Sequence, residues 1–269
     1  MIDSIITSAQ NPKVKHLLEL QQKSSERRKA NLFVVEGRRE LEHCLNAGFR
    51  VDSLFLCPQI IGEDAWNNLR AVIPADARCF RVAPDIYNKI AYRGGTEGVI
   101  AEVVPRHLSL SDLQLPDNPL VVVLESVEKP GNLGAVLRSA DAAKADAVIV
   151  CDSLTDVYNP NLIRSSIGAV FTVPAVSCNS SDCIAFLKAN RLRILTAQLQ
   201  DSELYYESDM KSGTAIVMGT ESTGLTDVWR EAADAHIRIP MLGRLDSLNV
   251  SVSAAILLFE AVRQRQGNG

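Results

Sequence analysis

The chain has little with which to cross a membrane or hold a metal. No apolar run in its 269 residues approaches the roughly 20 consecutive residues that a membrane-spanning helix needs. Residues 1–6 carry neither a basic leader nor the apolar stretch of a signal peptide, so a cytoplasmic protein is expected. Histidine is scarce: His16, His43, His107 and His236 are scattered without ligand spacing. The six cysteines, Cys44, Cys57, Cys79, Cys151, Cys178 and Cys183, form no C-x-x-C pair and sit in mostly apolar contexts. Buried, reduced thiols are expected, and no metal site. Nucleotide signatures are missing too. No second glycine stands two residues after Gly131, which excludes the dinucleotide fingerprint of a dehydrogenase, and no Gly-Lys-Ser/Thr occurs there, which excludes a P-loop.

What is present is the composition of a globular protein, with 46% hydrophobic and 22% charged residues. The length suffices for one large or two ordinary domains with cores of their own. No internal repeat or low-complexity tract appears. The formal net charge is −4, yet the acidity is uneven: residues 11–39 hold eight Lys and Arg against three Glu. Such a run is either a solvated helix face or a grip for a polyanion.

Two halves emerge from the alternation of strands and helices. A polar helix over 11–29 leads into strands at 32–36, 51–56, 78–82 and 99–103 with helices at 38–47, 63–72 and 84–90 between them. This predicts a small α/β domain over 1–104. Residues 105–118, with Pro105, Pro116 and a Ser/Leu/Asp mixture, read as a linker. Over 119–269, strands at 120–124, 147–151, 172–176, 193–196, 215–218 and 236–239 are separated by helical segments, which predicts a doubly wound parallel sheet.

Three polar segments interrupt this second half. In the first, the apolar run 120–124 ends in E-S-V-E-K-P-G-N-L-G-A-V-L-R-S-A, a Pro-Gly turn into a glycine-tolerant helix start that carries Asn132 and Arg138. In the second, the strand at 215–218 runs into G-T-E-S-T-G-L, where Gly219 and Gly224 permit close backbone approach and Glu221 stands at a strand end, where such sheets place their ligand crevice. In the third, I-P-M-L-G-R-L-D-S-L-N-V-S-V-S-A-A passes from a strand through a glycine loop into a helix opening with Ser247, Asn249 and Ser251, more polar groups than one cap requires.

In this order the three segments resemble the SpoU/TrmH family of RNA ribose 2′-O-methyltransferases, within the wider SPOUT class, over residues 119–269. Departures are small: Lys129 stands where many members have aspartate, Ser222 where glycine is common, and Ser253 where alanine is usual. The resemblance implies a trefoil knot, a homodimer through the C-terminal domain and last helix, and S-adenosylmethionine as methyl donor. It places Met218, Gly219, Ile239, Met241, Leu248 and Asn249 around that donor. Arg138 is the family's candidate base; because a guanidinium is a poor base, it is expected instead to stabilise the developing 2′-alkoxide, with Asn249 and Ser247 as orienting residues and Asn132 and Glu221 as a bracing pair. The N-terminal domain resembles modules that bind kinked RNA, with Lys13, Arg27, Arg28, Arg38 and Arg93 as candidate contacts. Ribosomal RNA of the large subunit is favoured over transfer RNA. The alternatives are a transfer-RNA 2′-O-methyltransferase and a non-catalytic RNA-binding or ribosome-assembly factor of the same fold.

Overall fold

The computed structural model describes residues 3–92, 97–153, 155–220 and 222–266, so two candidates, Arg93 and Glu221, lie outside the described residues. The chain divides into two compact units, Met1–Arg106 with Asp156–Thr172, and His107–Thr155 with Val173–Gly269.

In the first unit, strands β1 (Asp3–Ile6), β2 (Phe33–Glu36), β3 (Val51–Leu56), β4 (Arg78–Val82) and β5 (Val99–Val103) form a mixed sheet of order β1-β4-β3-β5-β2. β3 runs parallel to β4 and antiparallel to β5, and β5 is buried along its whole length. Val14, Leu17 and Leu20 recur at helical spacing in Pro12–Gln22 and pack with Phe55, Phe80 and Tyr87. Each such side chain contributes about 1.5–3 kcal/mol on burial.

The single helix expected over 11–29 is in fact two, Pro12–Gln22 and Ser24–Ala30, with Lys23 extended between them. Arg27 supports the break. Its Nη1 donates back to the carbonyls of Leu20 at 2.6 Å and Gln21 at 3.4 Å, acceptors that the end of the first helix leaves free. Its Nε donates to Asp156 Oδ2 at 2.6 Å. With 5% of its side chain exposed, Arg27 is a structural cation, which corrects its expected place among the RNA contacts.

The partner Asp156 opens a segment, Asp156–Thr172, that lies within the second half of the sequence but packs in the first unit. Tyr158 stacks on Phe33 with ring centroids 4.2 Å apart, and Phe171 meets Phe49 edge-on at 5.2 Å. The chain therefore passes between the units three times.

Among the described residues the second unit holds seven strands: β6 (Leu120–Glu125), β7 (Ala147–Cys151), β8 (Ala175–Cys178), β9 (Arg193–Ala197), β10 (Glu203–Leu204), β11 (Thr214–Met218) and β12 (Ala235–Arg238). All pair in parallel, in the order β10-β12-β9-β11-β6-β7-β8, as the strand–helix alternation predicts. β6, β7 and β11 are buried at every residue, which is why they read as unbroken apolar runs. The strand expected at 172–176 begins later, because Ala169–Thr172 is helical and Pro174 separates it from β8. Residues 107–118 are packed: Leu110, Leu113 and Leu115 lie against the core of this unit, and Ser109 and Asp112 form a capping box around a short turn.

Candidate functional site

The strand order reverses between β6 and β11: β7 and β8 lie beyond β6, while β9, β12 and β10 lie beyond β11. In open parallel sheets the crevice at the carboxyl ends of such a pair takes the ligand. A cleft of about 130 Å³ lies there, lined by Ser126, Val127, Glu128, Lys129, Asn132, Gly219, Thr220, Ser222 and Val250. All three polar segments of the sequence contribute to it.

The first segment leaves β6 through Ser126, held at a positive φ of 53° while its N–H donates to the Cys151 carbonyl at 2.9 Å. Pro130 then opens the helix Pro130–Ala142, whose Leu133, Gly134, Val136, Leu137 and Ala140 face the core. Asn132 stands at the cleft. Arg138, further along the helix, is exposed, and among the described residues it has no hydrogen-bond or ion-pair partner.

The second segment is a short closed loop. Thr220 and Gly224 exchange backbone hydrogen bonds of 3.2 and 3.1 Å, and Gly224 takes a φ of 69°. A Cβ at Gly219 would run into the carbonyl of Gly224, so only glycine fits there. Ser222 is exposed at the cleft, and its hydroxyl lies 3.4 Å from that of Thr220.

In the third segment, Asn249 caps the helix Val250–Gln266. Its Oδ1 accepts from the Ser251 N–H at 3.0 Å and the Ser251 hydroxyl at 2.7 Å. These two donors fix which end of the amide carries oxygen, so Nδ2 faces Asn132 and donates to its Oδ1 at 3.2 Å. The first and third segments, 117 residues apart, are thereby joined at the cleft.

The structure thus gathers Asn132, Gly219 and Asn249. Met218 is buried at the end of β11, and Ile239 and Met241 are half-buried after β12. Ser247 and Leu248 are exposed on the loop before the helix, and none of these five lines the cleft. In the first unit, Arg28 is exposed, Lys13 places Nζ 3.6 Å from the Phe80 ring centroid, and Arg38 pairs with Glu42 at 3.7 Å.

Sequence reasoning missed the brace behind the loop. Glu125, the last residue of β6 and 3% exposed, accepts from Thr226 N at 2.9 Å and Thr226 Oγ1 at 2.6 Å, just past Gly224. Behind it, Ser180 donates to Asp152 at 2.6 Å and accepts from Trp229 Nε1 at 2.9 Å. The available signal was a carboxylate closing an otherwise apolar strand, since buried charges persist only when hydrogen-bonded.

Residues 119–259 match the SpoU rRNA Methylase family, and residues 11–101 match the MRM3-like substrate binding domain. The chain is 30% identical over 258 residues to the 23S rRNA (guanosine(2553)-2′-O)-methyltransferase RlmP of Bacillus subtilis, covering 94% of this chain and 97% of that one. It is also 30% identical over 250 residues to the 23S rRNA (uridine(2479)-2′-O)-methyltransferase of Streptomyces viridochromogenes, covering 90% and 86%. The crystal structure of an AdoMet-bound rRNA methyltransferase from Sinorhizobium meliloti superposes with a TM-score of 0.88 at 30% identity, over 97% of each chain.

Proposed function

Because the chain belongs to the SpoU rRNA methylase family, we propose that it transfers a methyl group from S-adenosylmethionine to a ribose 2′-hydroxyl in 23S-type ribosomal RNA. The observation that carries this reading is the Asn132–Asn249 hydrogen bond, which ties two motif segments together at the reversal point of a parallel sheet.

The residues present fit the donor. Gly219 and Thr220 line the cleft, and the absence of a Cβ at Gly219 lets the loop close on the Gly224 carbonyl behind it. Met218, Ile239, Met241 and Leu248 lie outside that cleft, and their place around the donor rests on the family resemblance alone. Bound there, S-adenosylmethionine supplies an electrophilic methyl group. A ribose hydroxyl is a very weak acid, so its proton must leave, or its alkoxide be stabilised, as the new bond forms. The Arg138 guanidinium acts on the alkoxide or the adjacent phosphate, while phosphate or water accepts the proton. Asn249, locked by Ser251 and Asn132, orients the ribose, with Ser247 beside it; Asn132 and Glu221 brace the loops.

Residues 119–269, apart from the Asp156–Thr172 segment that packs in the first unit, carry the chemistry in a trefoil-knotted domain, and residues 1–104 recognise the RNA. Lys13, Arg28, Arg38 and Arg93 supply phosphate contacts. The protein works as a homodimer in the cytoplasm. Support for the dimer comes from Val250–Gln266, where Val252, Ala255, Ile256 and Phe259 form a continuous apolar stripe at helical spacing, with Val252 and Phe259 46% and 49% exposed.

The test is incubation with labelled S-adenosylmethionine and unmodified ribosomal or transfer RNA, followed by digestion to nucleosides. A 2′-O-methylnucleoside from large-subunit RNA is expected. A methylated base, or labelling of transfer RNA alone, would overturn the assignment. Arg138→Ala should abolish methyl transfer while leaving donor binding intact; unchanged turnover would remove Arg138 from the mechanism.

A further inference from the structure

The sequence offers no C-x-x-C pair, yet the fold assembles a cysteine cluster from three separate elements. Cys151 ends β7, Cys178 ends β8, and the two are register partners on adjacent parallel strands. Cys183 reaches them from the first turn of the helix Ser180–Ala189. The three Sγ atoms lie within 4.8 Å of one another. Among the described residues no other group of three or more His, Cys, Asp or Glu side chains converges in this way.

Cys151 and Cys183 are fully buried, whereas Cys178 is half-buried and gives the cluster a solvent-facing side. The setting is apolar, within the core formed by Val121, Ile149 and Leu187. The neighbouring carboxylates are engaged elsewhere: Asp152 accepts from Ser180 N and Oγ, and Asp182 accepts from Asn179 Nδ2. The donor set is therefore sulfur alone, and three sulfurs only.

We propose that Cys151, Cys178 and Cys183 form a trigonal thiolate site for a thiophilic monovalent d10 cation of the Cu(I) type. Soft sulfur donors select soft metals, which excludes magnesium, calcium and manganese. Structural zinc takes four ligands, and the described residues here supply three. For metal–sulfur bonds of about 2.3 Å, a planar three-coordinate site spaces its sulfurs by about 4 Å, within the observed separation. Binding releases thiol protons to solvent, so affinity falls as pH is lowered. A bound cation would pin the ends of β7 and β8 to the helix that carries Ser180, one residue from the Asp152–Ser180–Trp229 brace.

The test uses the reduced full-length protein under anaerobic conditions, titrated with Cu(I) buffered by a chromogenic chelator. Uptake of one equivalent per chain is expected, with a sulfur-to-copper charge-transfer band and slower alkylation of Cys178 by iodoacetamide. Cys178→Ser, chosen because that position is not fully buried, should weaken uptake more than about tenfold. Cys79→Ser, at a half-buried cysteine outside the cluster, should leave it unchanged. Failure to compete with the chelator, or equal uptake by Cys178→Ser with native circular dichroism, would overturn the proposal. So would tight Zn(II) binding without Cu(I) uptake, since that would mean a fourth ligand and a different site.

Discussion

Arg27 and Arg28 are neighbours in a basic tract, and the structure gives them opposite fates, which a pair of substitutions can separate. Arg27 is 5% exposed and its partner Asp156 21%. Arg27→Ala removes the bonds to Asp156, Leu20 and Gln21 together and leaves a carboxylate without its cation. Breaking one side of a buried ion pair costs about 3–5 kcal/mol. Asp156 keeps some access to water, so the lower end, about 3 kcal/mol, is expected. At about 2–4 °C per kcal/mol, the thermal midpoint should fall by about 6–12 °C. Arg28→Ala, at an exposed position, should change stability by less than about 0.5 kcal/mol. It should instead weaken RNA binding and lower the salt dependence by about one counterion. Calorimetry and RNA titrations at several salt concentrations read the two effects separately. The double variant Arg27→Ala/Asp156→Ala should lose less than the sum of the single losses, because no unpaired charge remains. An Arg27→Ala protein of unchanged midpoint but weakened RNA binding would refute the assignment.

Three further outcomes are expected. Gly219→Ala should lower S-adenosylmethionine affinity at least about tenfold, measured by calorimetric titration, because the new Cβ forces the Gly224 carbonyl out of place. Glu125→Gln keeps the shape but replaces one of the two oxygens that accept from Thr226 with a donating amide, and should cost about 1–3 kcal/mol in a urea melt. Burial pushes the Tyr158 phenol up to about 12, above its usual value near 10, so the folded state keeps a proton that the unfolded state releases. Stability is then complete below about pH 10 and falls as pH rises toward about 12; Tyr158→Phe should flatten that decline in urea midpoints.

The parallel sheet was legible because β6, β7 and β11 are buried on both faces and spell their burial as continuous apolar runs. β10, two residues long, and β1, at a sheet edge, carry too few side chains to show a period. The break at Lys23 was illegible for a different reason. Helix propensity continues smoothly through 11–29, and what supports the break is a guanidinium whose carboxylate lies 129 residues away. The same distance hid the placement of Asp156–Thr172, since stacking of Tyr158 on Phe33 leaves no local mark in either segment.

At the site, motif reading named Asn132, Gly219 and Asn249, which meet at the cleft, and also Met218, Ile239, Met241, Ser247 and Leu248, which do not line it; the residues it missed stand behind. Asn132, Gly219 and Asn249 sit beside turns and helix starts, where polarity and glycine are conspicuous. Glu125, Ser180 and Trp229 lie in elements that otherwise look like core, and only their hydrogen bonds connect them to the loop. The two layers should respond differently to substitution. Arg138 is exposed and without a partner among the described residues, so under the proposed mechanism its loss should lower turnover and leave stability and donor affinity unchanged. Glu125 holds backbone at Thr226, two residues beyond the Gly224 that closes the loop on Thr220. Its loss loosens the ground-state site, so donor affinity and turnover fall together. A Glu125→Gln enzyme with native affinity and reduced turnover would instead place that carboxylate in the chemistry itself.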